Sequence, residues 1–419
     1  IAKALYSMYR NEFTLAEYEG KGGWYQFKHH YWEPVPEGVN LREKISSEIA
    51  PLFIEIARQL SEKGYEARSH DSYDKDKAIE IHKQEAKFQK CIDKCKDCTF
   101  KDKVMRECRE VFYDRHFHSK LDKNKNVIGF ANGVYDLEAF SFRDGRPDDY
   151  ISKCMTISYP HHLNMEDESV QGIIEFLSQI FPDEGVRRYV LDTYCDVFVG
   201  GNTWKKCYMW TGEGDNGKSL FQNLFNTMLG PLAVKAGTQL VTGKKPAVGS
   251  PNPELSRAKP PVRFLSVEEP DGDEQINMSV LKMITGGDQI IVRDLYQSGS
   301  SMIEFVAMFM FNFICNKLPN LKYSDKAIWN RMRVIPFEST FVDDPPERIE
   351  DQIAQKRFPI DRSLVDSLPE MATVFAWYLL EWRKTVSGCP KEPEKVKEAT
   401  NSYRRQNDIY RQFIDEFIL

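Results

Sequence analysis

The chain has 419 residues, 41% of them apolar and 29% charged, with a formal net charge of −6. That length predicts two or three domains, and the composition excludes a disordered or fibrous chain. The slight acidic excess excludes nucleic-acid binding driven by bulk charge, though not by a basic channel inside an acidic ring.

In chain order, "GGWYQFKHHYWEPV" (22–35) alternates bulky and polar groups and predicts a hairpin, followed by a helix over "LREKISSEIAPLFIEIARQL" (41–60). The mixed-charge stretch 71–126 predicts solvated helices. "VIGFANGVYDLEAFSFRDG" (127–145) predicts short strands about an Asn132-Gly133 turn. Residues 166–201 read as two helices. From 205 the pattern turns α/β, with apolar strands at 207–210, 262–267, 289–296, 306–315 and 333–337, as a sheet covered on both faces requires. After Pro345 and Pro346 helix returns, clearest over 368–386, with 387–399 as a linker or turn. The division expected is an N-terminal α/β domain at 1–165, a helical collar at 166–204, an ATPase core at 205–345 and a helical C-terminal segment at 346–419.

The apolar run "FVAMFMFNFIC" (305–315) is too short to span a bilayer and contains Asn312, so no membrane association is expected. No signal or transit peptide pattern is visible. Nine cysteines without secretory context predict a reduced, intracellular protein. The opening Ile1 and the closing "FIDEFIL" predict a segment of a longer chain.

"YMWTGEGDNGKSLFQNLF" (208–225) carries the chemistry. Gly212, Gly217, Lys218 and Ser219 match G-x-x-x-x-G-K-[ST] between a strand and a helix. Glycines let backbone N–H groups curl around phosphate oxygens, and the helix aims its positive end at the same anion. Gly212, Glu213, Gly214, Asp215, Asn216, Gly217, Lys218, Ser219 and Leu220 are therefore expected to hold ATP. Lys218 would reach the β- and γ-phosphates, and Ser219 would ligate Mg²⁺. Hydrolysis needs carboxylates at a neighbouring strand end. "VRFLSVEEP" supplies Glu268 for the metal and Glu269 to polarise water. Asn316, ending "FMFNFICN", is a candidate to orient that water. Arg331 and Arg333 are candidates for an arginine given to a neighbouring subunit's γ-phosphate, and spacing does not separate them. "NKLP" (316–319) lacks the carboxylate of a guanine-reading motif, which argues against a GTPase.

These residues, in this order, resemble a viral superfamily 3 helicase, and more narrowly the primase–helicase family of poxviruses, asfarviruses and other large DNA viruses. The resemblance rests on "GEGDNGKS", "FLSVEEP", "LKMITGGDQIIVRDLY", "FNFICNKLPN" and "AIWNRMRVIPF". Segments upstream and downstream of these resemble the family too. It implies an AAA+-like P-loop core that forms a hexameric ring, hydrolyses Mg²⁺–ATP and moves 3′ to 5′ on single-stranded DNA. The implied partners are forked or single-stranded DNA, copies of the same chain, a primase domain in the full-length chain and a polymerase. The implied site, if the lineage is poxvirus- or asfarvirus-like, is a cytoplasmic viral factory. The resemblance favours Arg331 over Arg333. It also implies a channel hairpin over 286–305, with Lys282 and Arg293 at basic positions and Tyr296 near a tip without a cation. Two alternatives stand beside this reading: a DNA translocase or packaging motor that does not separate strands, and an ATP-dependent assembly or loader module.

Cys91, Cys95, Cys98 and Cys108, followed by His116 and His118, offer ligands for zinc. Positions 91, 95 and 98 also lie on one face of a helix, the reading preferred here, and zinc is not expected. His29-His30 and His161-His162 read as structural or exposed, because adjacent side chains point apart.

Overall fold

The computed structural model describes residues 1–18, 21–69, 75–242, 251–268, 275–293, 302–319, 321 and 325–407. Two compact units emerge: Ile1–Lys28 with Trp32–Leu121, and His29–Tyr31 with Asp122–Leu419.

The chain opens with α1 (Ala2–Tyr9) and a three-stranded sheet of β1 (Phe13–Tyr18), β2 (Lys21–Lys28) and β3 (Tyr31–Val35). The β2–β3 turn is His29-His30, with His29 left-handed at φ 58°. Helices α2 (Val39–Lys44), α3 (Ala50–Ser69), α4 (Lys75–Lys96), α5 (Cys98–Val111) and α6 (Phe117–Lys120) follow. The first unit's core gathers Leu5, Phe13, Trp24, Leu41, Ile45, Met105 and Phe112. Cys95 and Cys108 belong to that core, and burial pushes the Cys108 thiol up to about 11. Cys91 and Cys95 lie on α4, whereas Cys98 is exposed in the first turn of α5, which Asp97 caps by accepting the Phe100 N–H at 2.7 Å. The single helical face expected for 91, 95 and 98 is therefore not formed: α4 ends at Lys96, and Cys98 lies exposed on the next helix, because Asp97 caps a new start there. Among the described residues no three His, Cys, Asp or Glu side chains group as a metal site.

The second unit begins with a meander of β4 (Val127–Phe130), β5 (Gly133–Asp136) and β6 (Ser141–Arg143). Phe130 pairs with Gly133, so the turn is Ala131-Asn132, one residue earlier than the Asn-Gly reading placed it. Asn132 ties the turn down, donating to the Tyr159 carbonyl at 3.0 Å and accepting its N–H at 2.7 Å. Gly133 serves packing: a Cβ there would meet the Phe142 ring at 2.5 Å. Ile128, Phe130 and Tyr135 sink into the second unit's core, so this meander packs with that unit.

Helices α7 (Glu168–Ile180) and α8 (Glu184–Tyr194) follow, as the pattern predicts. Five strands then form one parallel sheet: β7 (Cys207–Thr211), β8 (Ala233–Ala236), β9 (Phe264–Val267), β12 (Met310–Cys315) and β13 (Met332–Pro336), in the order β13-β7-β12-β9-β8. Between them run α9 (Lys218–Leu229), α10 (Gln239–Thr242), α11 (Pro253–Arg257), α12 (Met278–Gly286), the antiparallel pair β10 (Gln289–Val292) and β11 (Ile303–Val306), and α13 (Lys326–Trp329). After the sheet come β14 (Thr340–Val342), α14 (Ile349–Gln355), β15 (Arg357–Pro359), α15 (Leu364–Arg383) and α16 (Glu394–Gln406). Helix α16 begins inside the stretch expected to be a linker. The run 306–315 breaks after Val306, so β11 and β12 are separate strands.

Alternation along each strand feeds two cores. Tyr208, Trp210 and Phe264 face α7, α8, α9 and α15. Met209, Leu265, Phe311 and Phe313 face α12, β10–β11 and Tyr403 of α16. Asn312, fully buried in the middle of β12, makes its polar contacts on the side of the first core. Its Oδ1 accepts from the Tyr194 hydroxyl at 2.5 Å, its Nδ2 donates to the Met310 carbonyl at 3.2 Å, and the Tyr194 oxygen accepts from Trp210 Nε1 at 2.5 Å. Gln222 of α9 donates to Ser266 of β9 at 3.0 Å. Tyr194→Phe would strand the Trp210 donor and the Asn312 acceptor. Stability should fall by about 1–3 kcal/mol, read as a lower denaturant midpoint with an unchanged slope.

Candidate functional site

Strand β7 lies second in the sheet, between β13 and the central β12, and after it the chain turns through 212–217 into α9. Three residues of that turn are left-handed or near it: Gly212 at φ 156°, Asp215 at 54° and Gly217, the helix N-cap, at 80°. Gly212 is irreplaceable on space as well, since a Cβ would lie 2.3 Å from the Phe337 carbonyl oxygen. The loop is braced from outside by the Phe341 N–H, which donates to the Asp215 carbonyl at 2.7 Å. Inside it, the Asn216 side chain donates to the Glu213 carbonyl.

Lys218 is 5% exposed, with its Nζ folded back into the loop. It donates to the Gly212 carbonyl at 2.6 Å, to Asn216 Oδ1 at 3.1 Å and to the Glu213 carbonyl at 3.3 Å. The ammonium thus rests on carbonyl dipoles beside the α9 N-terminus, where an anion would find both the charge and the positive end of the helix.

A cavity of about 420 Å³ opens above the loop, the size of a small-molecule site. Gly214, Asp215, Asn216, Gly217, Lys218, Ser219, Leu220 and Asn316 form one side. The opposite side is apolar: Phe176 and Ile180 from α7, Phe341 from β14, Ile360 after β15, and Leu364 opening α15, with Asp361 among them. Reading the sequence missed this wall. Its only trace there is a lone aromatic in the polar stretch "ESTFVDD" (338–344).

The neighbouring strands bring up two of the expected groups. Asn316 follows β12, beside the loop, and its carbonyl accepts from Thr211 Oγ1 at 3.3 Å. Glu268 follows β9, one strand further on, and forms an ion pair with Lys235 of β8. Sheet strands lie about 4.8 Å apart, so the two polar ends fan out from the loop within roughly 10 Å. Glu269 lies outside the described residues.

Other candidates sit elsewhere. Arg331 precedes β13, whose first residue pairs with Cys207, the first of β7. Five strand residues therefore separate it from the loop, roughly 16 Å along the sheet, and its guanidinium donates to the Ala327 carbonyl at 2.9 Å. Arg333 is committed to Glu392, Nε to Oε1 at 2.5 Å, and is mostly covered. Lys282 on α12 pairs with Asp325 at 2.5 Å, and that hydrogen bond holds the Asp325 carboxyl below the usual carboxylate range. Arg293 follows β10 and is bridged to Pro251. The strand and return strand expected around it are present as β10 and β11, whereas Tyr296 and the tip lie outside the described residues. No described helix is long and apolar enough to cross a membrane.

Residues 2–182 match the family described as D5 N terminal like. Over all of its length the chain is 33% identical to "Putative helicase 022R" of Frog virus 3 (isolate Goorha), covering 52% of that protein. It is 35% identical to "Putative helicase 184R" of Invertebrate iridescent virus 6, covering 47%. It is 24% identical to "Putative primase C962R" of an African swine fever virus isolate, covering 44%. The chain thus spans about half the length of the curated relatives it matches.

The loop geometry sets a paired test. Gly214→Ala, with nothing within 4 Å of the new Cβ, should leave the thermal midpoint unchanged. Gly212→Ala should destabilise the protein by about 1–3 kcal/mol through clash and backbone strain, seen as a lower midpoint.

Proposed function

The chain belongs to the viral primase–helicase family, and from that premise we propose that it is the motor segment of an ATP-dependent replicative DNA helicase of superfamily 3. The observation that carries the reading is the phosphate loop of β7 flanked by Asn316 and Glu268 on the ends of the next two strands. The parallel order β13-β7-β12-β9-β8, with a strand inserted between loop and carboxylate, supports an AAA+-like core.

ATP enters with its phosphates on the loop and its base against Phe176, Ile180, Phe341, Ile360 and Leu364. Lys218 leaves the Gly212 and Glu213 carbonyls for the β- and γ-phosphates, exchanging dipoles for full charges. Asn316 orients the attacking water, and Glu269 polarises it. The hard oxygen donors of Ser219 and Glu268 suit Mg²⁺, which when bound offsets phosphate charge; Glu268 must then leave Lys235. Arg331 stands too far along the sheet to reach its own nucleotide, which supports delivery to the neighbouring subunit's γ-phosphate in a hexameric ring. Arg333, held by Glu392, is a strut. The β10–β11 hairpin reaches single-stranded DNA through Arg293 and Tyr296, and Lys282 joins only by releasing Asp325. The remaining partners are the primase domain of the longer chain and the polymerase, in a cytoplasmic viral factory.

Forked DNA with a 3′ tail tests this. The protein should separate strands with ATP and Mg²⁺, and Lys218→Ala should lower hydrolysis by at least about 100-fold. Hydrolysis without separation would instead favour a translocase, and no hydrolysis an assembly module. Lys218→Ala and Arg331→Ala should each be inactive alone, yet mixed equally should regain roughly a quarter of the parental rate, because hybrid interfaces reunite the intact groups. An active Arg331→Ala protein would refute its role. Phe341→Ala should raise KM for ATP about tenfold with little change in kcat.

A further inference from the structure

The first unit has a groove of its own, about 500 Å³, bordered by Tyr6, Arg10, Tyr113, Arg115 and His116. Both tyrosine rings are open to solvent, 40% exposed for Tyr6 and 46% for Tyr113. Neither is loosely held. Tyr6 packs edge-on against the buried Phe112 ring at 5.2 Å. Tyr113 is tied to β1 by an isolated parallel bridge with Leu15: the Leu15 N–H donates to the Phe112 carbonyl and the Asp114 N–H to the Leu15 carbonyl, both at 2.9 Å. Phe112, the C-cap of α5, is buried, while Tyr113, the next residue, is exposed.

The charges match the rings. Arg10 and Arg115 are exposed, and Arg115 Nε donates to His116 Nε2 at 2.9 Å, fixing the orientation of both. The carboxylate lining the groove, Asp114, accepts the His116 N–H at 2.8 Å and pairs with Lys120 at 3.5 Å, so its charge is offset. A second cavity of the same unit lacks this combination: Arg42 is paired with Asp102 at 2.8 Å, Glu37 lines it too, and its Trp24 is buried.

Anchored, exposed rings offer π-faces to unstacked bases, and guanidinium groups beside them meet the phosphates between those bases. A duplex keeps its bases stacked and would leave the rings idle. An apolar peptide would leave both arginines unpaired. We propose that this groove binds a short stretch of single-stranded nucleic acid, with bases on Tyr6 and Tyr113 and phosphates on Arg10 and Arg115.

Ultraviolet cross-linking of the whole chain to a single-stranded oligonucleotide containing 5-iododeoxyuridine, followed by peptide mapping, tests it on the unaltered protein. Adducts at Tyr6 or Tyr113 are expected. Adducts confined to the second unit would overturn the proposal while leaving the motor reading intact. Anisotropy titration with an oligo-dT probe gives the second readout. Tyr113→Ala should weaken binding about tenfold, whereas Tyr113→Phe should hold it. Arg10→Ser and Arg115→Ser should each reduce the salt slope by roughly 0.7. Unchanged affinity and slope, or equal losses for Tyr113→Ala and Tyr113→Phe, would overturn it.

Discussion

Strand β12 can lie between β7 and β9 only because Asn312 is satisfied there. A polar amide at the centre of a sheet covered on both faces would cost several kcal/mol if left unpaired. The Tyr194 hydroxyl and the Met310 carbonyl remove that penalty, and Trp210 completes the network. The rest of the second unit follows from this insertion. It separates the glycine loop from the carboxylate strand by one strand width and puts Asn316 in the gap. It also brings α8, through Tyr194, onto the back of the strand that carries the loop.

The parts legible in the sequence were those fixed by local chemistry. Gly212, Gly217 and Lys218 announced themselves because a backbone cradle tolerates few other residues. The long apolar strands were visible because a sheet buried on both faces lacks polar alternation. Strand β8, "AVKA", was invisible: four residues with one lysine carry no pattern, although Lys235 holds Glu268. The break between β11 and β12 was hidden by unbroken hydrophobicity through Ala307, Met308 and Phe309, all buried. The apolar wall was hidden for another reason. Phe176, Phe341 and Leu364 lie far apart in sequence, and only the tertiary fold collects them. Which core the strands of 127–143 join was hidden as well, because short strands with no helix between them look the same whichever core they join.

Lys235 and Lys218 share a logic. Each cation is parked on a local acceptor, a carboxylate in one case and loop carbonyls in the other. Each charge is thus offset by an acceptor close to it, which spares the loop the cost of an uncompensated cation. The brace from Phe341 to Asp215 holds the turn open against the apolar wall.

Helix α16 has a mechanical consequence. Tyr403 donates to the Pro319 carbonyl at 2.6 Å, just beyond Asn316, and Asn407 accepts the Leu321 N–H at 2.9 Å. On the same helix, Thr400 accepts the Val334 N–H at 3.0 Å, on the strand that Arg331 precedes. One stiff rod is thus riveted to both ends of the machinery: the edge that would sense a subunit's own γ-phosphate and the edge that would touch the next subunit's. Under the proposed reading, a displacement at the first is felt at the second without passing through the sheet.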